Sequence, residues 1–403
     1  MAGAHKLFKI KGIVQHYSWG GQDYIPALLN QDNAAGTPHA EYWLGAHPNH
    51  PSLLEDSERP LLAVLEEDKE GILGRDVVVR FDTLPFLFKI LDVKQMLSIQ
   101  VHPSIESARK GFALENQMKI PVTAPHRNYK DENHKPEMMV ALSPFWLLHG
   151  FKPAHQVHEI LQKVPELRFL AAVFGRDHYQ ELYELIMRMP QEEVDRYVKP
   201  LLERIVPLYE AGLLTKDQED FWAARAAITF QKNGHADRGI FSIYLFNLLH
   251  LEKGEGIFQP SGMPHAYLEG QNVEVMANSD NVLRAGLTDK HIDVGELMKH
   301  VQFEATIPQV LNPPSGKQRS FETPAHEFGL LQYQLAGNEV LEYTTHSAEL
   351  LFLLNGTASV STGSTSLSLK KGEAAFAAAG LTIQMMAGQE AEIYRVFVPP
   401  PKN

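Results

Sequence analysis

The sequence predicts a mainly β protein with an α-helical insertion, arranged as two related β-barrels or jelly rolls plus a helical domain. Three observations predict it. Short apolar or alternating runs broken by Pro, Gly and Asp fill residues 1–152 and return after residue 237. Residues 153–236, between them, carry apolar positions at three and four spacing with charges in the gaps. An ungapped internal repeat aligns LEKGEGIFQPSGMPHAYL (251–268) with LKKGEAAFAAAGLTIQMM (369–386), the pattern of one strand–turn–strand unit used twice.

In chain order, VVVRF (77–81), PFLFKILDV (85–93), LSIQV (97–101) and EMMVAL (137–142) read as strands. Ser104 reads as the N-cap of a helix over SIESARKGFALENQ, with acids early. After Pro153, AHQVHEILQKV, DHYQELYELIMRM, QEEVDRYVKPLLERIVPLYEAG and TKDQEDFWAARAAITFQK read as helices. SIYLFNLLHLEKGEGIFQPSGMPHAYLEG then returns to short segments. IPQVLNPPSGKQ reads as a linker, because Pro-Pro-Ser-Gly sustains neither regular element. GLLQYQL, LLFLLNG, TASVS, SLSLKKG and EIYRVFVP supply the last strands. The expected units are therefore 1–152 and 237–312 as β-rich parts on either side of the helical domain 153–236, and 318–403 as a further β-rich unit. A chain of 403 residues is too long for one ordinary core, which agrees with this division.

The repeat separates structure from chemistry. Leu251, Lys253, Gly254, Glu255, Phe258 and Gly262 recur as Leu369, Lys371, Gly372, Glu373, Phe376 and Gly380, whereas His265 falls on Ile383. One copy carries a polar ligand type where the other carries a packing residue.

Composition narrows the chemistry. With 37 Lys and Arg against 49 Asp and Glu, the net charge is −12, which argues against nucleic acid or an anionic membrane as partner. An anionic substrate then needs a local cluster of cations. The absence of Cys excludes disulfides and thiolate metal sites. No apolar run has the length of a signal peptide or a membrane span, and the expected location is the cytoplasm.

Four metal-competent residues stand on or beside predicted strands. Gln100 and His102 are two apart, so a strand directs both to one face. Glu137 follows Pro136 at a strand start, and His265 follows the turn-rich QPSGMP. Taken singly, these read as an edge histidine, a solvated strand end and a loop histidine. Together they form an N2O2 set that suits zinc. Spacing alone does not bring the strands together.

The segment NYKDENHKPEMMVAL (128–142) carries the most specific pattern. Tyr129, Asp131, Asn133, His134, Lys135, Pro136 and Glu137 fit YxDxNHKPE at every fixed position, and in this the chain resembles type I mannose-6-phosphate isomerases (phosphomannose isomerases), a zinc-dependent cupin family. LSIQVHPS, GEGIFQPSGMPHAYLEG and VEVMANSDNVLRAGLTDKHIDVGEL resemble further family segments; HYSWGG and EYWLGAHPNHPS match more loosely, with His16 in place of Asn and Tyr42 in place of Leu.

The resemblance implies two cupin-type jelly rolls, a catalytic one in two parts over 1–152 and 237–312 and a metal-free one over 318–403, with one Zn2+ per chain on Gln100, His102, Glu137 and His265. It implies catalytic positions at Arg284, Lys135, Glu274 and Asp280, and substrate-binding positions at Ser98, Lys290 and His134, with Lys135 and His134 at the pocket mouth. The reaction implied is the interconversion of D-mannose 6-phosphate and D-fructose 6-phosphate through an enediol(ate), within carbohydrate metabolism leading to GDP-mannose. The partner is a small sugar phosphate, with no nucleic acid and no membrane, and the chain is expected to act as a monomer. Glu274, Asp280 and Lys135 remain open as the general base. Ordinary readings stand beside these: a surface Arg284 paired with Asp280, a solvated Lys290, and Ser98 as a core strand residue. Two other functions compete, an iron dioxygenase and a non-catalytic sugar-binding cupin; oxygen consumption and metal content discriminate them.

Overall fold

The computed structural model describes residues 6–230, 234–312, 316–363 and 365–401. The Pro-Pro-Ser of the expected linker and residues 231–233 at the end of the helical block lie outside them.

Among the described residues the strands form two antiparallel sheets, of ten and nine strands. The ten-stranded sheet turns on one long strand, His265–Ala277. Its second half pairs with Phe86–Val93 on one side and Glu137–Ala141 on the other. Its first half pairs with Phe145–Phe151, and His265 itself stands opposite Gln100. The change of partner comes at Gly270, whose φ of +128° is a backbone state that L side chains rarely adopt. A Cβ there would lie 2.6 Å from the Phe145 ring, so glycine is what lets the strand bend across two layers.

The nine-stranded sheet is built on Glu349–Thr362 and Thr382–Phe397. It also takes in the N-terminal strand Leu7–Lys11, which pairs with Ala374–Ala377. The expected 1–152 unit thus lends its first strand to the C-terminal sheet. Phe88 and Phe352, with ring centroids 5.3 Å apart, join the two sheets through a shared core that includes Ile10, Met138 and Val396.

The internal repeat is a repeat of turn geometry. Gly254 and Gly372 have φ of +90° and +83°, and Gly262 and Gly380 have +83° and +77°. The Glu255 carboxylate accepts from Glu252 N–H at 2.8 Å, and Glu373 does the same for Lys370 N–H at 2.8 Å. The carboxylate satisfies a donor that the tight turn leaves free, which explains the paired Gly-Glu.

Four long helices and shorter pieces cover one face of the ten-stranded sheet. In Gln191–Glu210 the buried positions are Val194, Val198, Leu201 and Ile205, the four-three-four spacing read from sequence. They share a core with Leu148, Phe151 and Phe246 of the sheet.

Three sequence expectations change. VVVRF lies in the helix Arg75–Phe81, not in a strand. A strand would bury alternate residues, but Val77 is buried and Val79 is 77% exposed, while Asp76 and Arg80 pair one turn apart. Of LSIQV only Gln100–Val101 is regular strand. SIYL closes the helix Gly239–Leu245 before the strand Phe246–Leu251 begins. The Ser104 cap stands, with its hydroxyl accepting from Ser107 N–H at 3.2 Å.

Candidate metal centre

Three strand ends of the ten-stranded sheet bring their side chains together. Glu137 opens Glu137–Ala141 immediately after Pro136, a position that needs no ladder donor from the proline. Register places Glu137 opposite Gln259 and Met276. His102 follows the short strand Gln100–Val101, and His265 begins its strand opposite Gln100. All three side chains are buried, with His102 fully so.

Their ligand atoms lie within 4.8 Å of one another. His102 Nε2 is 3.4 Å from one Glu137 oxygen and His265 Nε2 is 3.2 Å from the other. Each imidazole donates through Nδ1 to a backbone carbonyl, His102 to Asn281 at 2.7 Å and His265 to Met263 at 2.9 Å. Those bonds leave both Nε2 atoms as lone pairs aimed at a carboxylate. Lone pairs that face lone pairs repel unless a cation lies between them. His102 Nε2 is buried without a hydrogen bond, so the donor set fits a metal ion. Burial pushes His102 down to about 4, which keeps it neutral. Burial works against the Glu137 charge, but Lys135, with Nζ 3.0 Å away, holds the carboxylate well below 4.5.

Gln100, Glu137 and His265 line an inner cavity of about 100 Å³ together with Lys135, Glu274 and Tyr267. An outer cavity of about 700 Å³ shares Gln100, Lys135, Glu41 and Lys89 with it and adds Ser98, Asp280, Arg284 and Lys290. The ligand candidates thus lie at the floor of a funnel whose upper wall carries cations. Arg284 stands opposite Gln100 in register. Asp280 has His47 as its ion-pair partner at 3.3 Å, which leaves no support for the Arg284–Asp280 surface pair.

Glu274 is buried and accepts from the Tyr267 hydroxyl at 2.9 Å. Burial, and then the Glu137 charge, raise its pKa above 4.5 against the pull of Lys89 and Lys135. Lys89 lies 3.3 Å from Glu41 and 3.5 Å from Glu274, over the Trp43 ring at 4.8 Å. Burial opposes its charge, but Glu41, Glu274 and Glu137 together hold it protonated, above its ordinary 10.5.

His134 lies apart from the lining of both cavities. Expected at the pocket mouth, it instead bonds Glu327 at 2.7 Å and lines a separate surface cleft with Arg80 and Arg109. Successive side chains of an extended segment point to opposite sides, so with Lys135 turned into the cavity its neighbour turns out. Sequence reading also missed Lys89, Glu41, Trp43, His47 and Tyr267 in this region. One signal was available: Lys89 is a charge in the middle of FLFKIL, a run too apolar to place it in solvent.

The family profile described as "Phosphomannose isomerase type I, catalytic domain" matches residues 7–154. The mannose-6-phosphate isomerase of Escherichia coli (strain K12) is 38% identical over 381 residues, covering 92% of this chain and 94% of that protein. The chain belongs to the type I phosphomannose isomerase family. The human phosphomannose isomerase relative, Homo sapiens mannose-6-phosphate isomerase, is 32% identical over 428 residues, 95% of this chain and 96% of its own. Among solved phosphomannose isomerases, the Salmonella typhimurium enzyme bound to fructose 6-phosphate and zinc superposes with a TM-score of 0.88 at 34% identity, covering 98% of this chain and all of that one (100%). A second family structure, bound with zinc and yttrium, also gives a TM-score of 0.88 at 34% identity and the same coverage.

Proposed function

We propose that this chain is a zinc-dependent aldose–ketose isomerase that interconverts D-mannose 6-phosphate and D-fructose 6-phosphate by proton transfer between C1 and C2. The observation that carries the reading is the pair of imidazole lone pairs facing Glu137 beneath a cation-lined funnel. His102, Glu137, His265 and Gln100 hold the ion. Bound there, zinc supplies Lewis-acid stabilisation of the negative charge that develops on the sugar oxygens.

The chain's own groups do the rest. The outer cavity of about 700 Å³ has the size of a small-molecule site. Lys290 and the Ser98 hydroxyl take the phosphate, supplying the positive charge that an acidic chain otherwise lacks. Arg284, opposite the ligand Gln100, offsets charge on the enediolate with its fixed fork of donors. Of the three expected bases, Glu274 and Lys135 line the inner cavity, whereas Asp280 lines only the outer one. Glu274 carries the proton: its pKa is raised, the direction a base working near neutrality requires. Lys135 stays beside Glu137 as a fixed charge, and Asp280 orders sugar hydroxyls at the mouth.

The architecture we read around this site is two cupin-type jelly rolls, the catalytic one interrupted by the helices. The site is complete within one chain, which supports a monomer. No helix of the described residues is long and apolar enough to cross a membrane. The test is a coupled assay of mannose 6-phosphate conversion on wild type and His265→Ala, with metal analysis of each. Activity with about one zinc per chain in wild type, both lost in the variant, is the expected result. A wild type that holds metal but does not convert the sugar would overturn the substrate.

A further inference from the structure

We propose that Asp131 is a positioning residue for the metal centre and for the Asp280 carboxylate, acting through the segment 279–281; the inference rests on the metal reading above. Asp131 is the acidic position of YxDxNHKPE and lines neither cavity itself. Its Oδ1 accepts from Asn133 N–H at 2.9 Å, from the Ser279 hydroxyl at 2.8 Å and from Asn281 Nδ2 at 3.1 Å. Its Oδ2 accepts from Asp280 N–H at 2.7 Å. One carboxylate therefore takes four donors, three of them from the segment that carries Asp280 and leads to Arg284.

Asn281 completes the knot. It is fully buried, and its side-chain oxygen accepts from Lys130 N–H at 2.7 Å while its amide donates to the Asp131 and Asn133 carbonyls at 2.9 and 2.8 Å. Its own backbone carbonyl is the acceptor for His102 Nδ1–H. The path from Asp131 to the metal centre is thus two bonded steps: Asp131 holds Asn281, and Asn281 holds His102 in the tautomer that presents Nε2. The same residue ties the loop that ends in Lys135 and Glu137 to the strand that supplies Arg284. Charge-assisted bonds are the strong ones, and outer partners of a ligand histidine govern metal affinity as the ligands do.

Asparagine at this position keeps the volume but turns half of the acceptor into a donor, so it opposes at least one of the four N–H or O–H groups. The experiment measures zinc affinity by chelator competition on wild type, Asp131→Asn and Ser279→Ala, with the visible spectrum of each cobalt-substituted protein and the unfolding midpoint of each metal-free one. We expect zinc to bind about 10- to 100-fold more weakly in Asp131→Asn, with a shifted cobalt spectrum and a fall in kcat. Ser279→Ala is the milder change: it removes one of the four donors to Asp131 and the acceptor of Asn281 N–H, and moves affinity the same way by less. Unchanged zinc affinity and cobalt spectrum, in Asp131→Asn or, if that variant does not fold, in Ser279→Ala, would overturn the positioning role. A wild type that binds no zinc would sink the metal reading itself, which is a different failure.

Discussion

His102 and Lys89 show what a single buried residue can be made to do by its neighbours. The first is an acceptor because Asn281 occupies its other nitrogen; the second stays charged because three carboxylates surround it. Two predictions belong at this scale. Glu274→Gln keeps the shape of the base but removes its proton affinity, so kcat falls about 100-fold or more while zinc content stays at the wild-type level. Metal analysis beside the assay separates this from ligand loss, and an active variant would return the role to Lys135. Lys89→Met leaves Glu41 and Glu274 buried without their shared cation. Removing one member of such a cluster costs about 3–5 kcal/mol, read as a lower urea midpoint. The residue types of His102, Glu137 and His265 were legible in the sequence because each breaks an apolar context beside a turn. Lys89 was legible only as a charge inside the apolar run FLFKIL, with no partner named, and His47, in the loop after Glu41–Gly45, gave no signal at all.

Glu269 links an element to the sheet. It lies on the strand His265–Ala277 and bonds both Lys216 and Arg225, the latter on the helix Glu219–Phe230. Burial works against its charge, but the two cations win and its pKa falls below 4.5. A carboxylate depressed in the folded state adds stability that is present above its unfolded value and is lost as pH drops through the folded one. Wild type is therefore expected to lose stability on acidification below pH 4.5 more steeply than Glu269→Gln, as measured by thermal unfolding across a pH series. The bend at Gly270 is the other element-scale constraint. Gly270→Val meets Phe145 and the Pro144 carbonyl and needs a positive φ, so it costs about 1–3 kcal/mol or more in unfolding free energy. At this scale the sequence was legible where periodicity was long, as in Gln191–Glu210, and misleading in VVVRF. There the β-branched run suggests a strand, but Val77, Val78 and Phe81 pack on the core while Val79 faces solvent, a helical face and not an alternating one.

Across the whole molecule, the two sheets repeat more than a turn. Glu137 stands opposite Gln259 and Met276; Glu349 stands opposite Ala377 and Phe397, which makes it the register equivalent. Two residues before Met276 is Glu274, and two before Phe397 is Arg395. In the first sheet the carboxylate faces imidazole lone pairs. In the second it takes a two-point bond from the Arg395 guanidinium, both contacts at 2.7 Å, with Tyr333 against the third nitrogen at 3.0 Å. The second sheet thus neutralises its buried acid with its own side chain. Arg395→Met leaves Glu349 unpaired and is expected to cost about 3–5 kcal/mol while zinc content is unchanged, which urea unfolding and metal analysis would check.

By itself the sequence determined the alternation of β and helical regions, the repeated Gly-Glu turn, and which residues were chemically able to bind a metal. Those properties are local: spacing, turn geometry and donor type are written within a few neighbouring positions. Tertiary structure alone decided that three strand ends meet, that Leu7–Lys11 joins the C-terminal sheet, and that Lys135 faces the cavity while His134 faces Glu327. Register between strands distant in sequence sets which side chains share a face, and no local pattern carries that information.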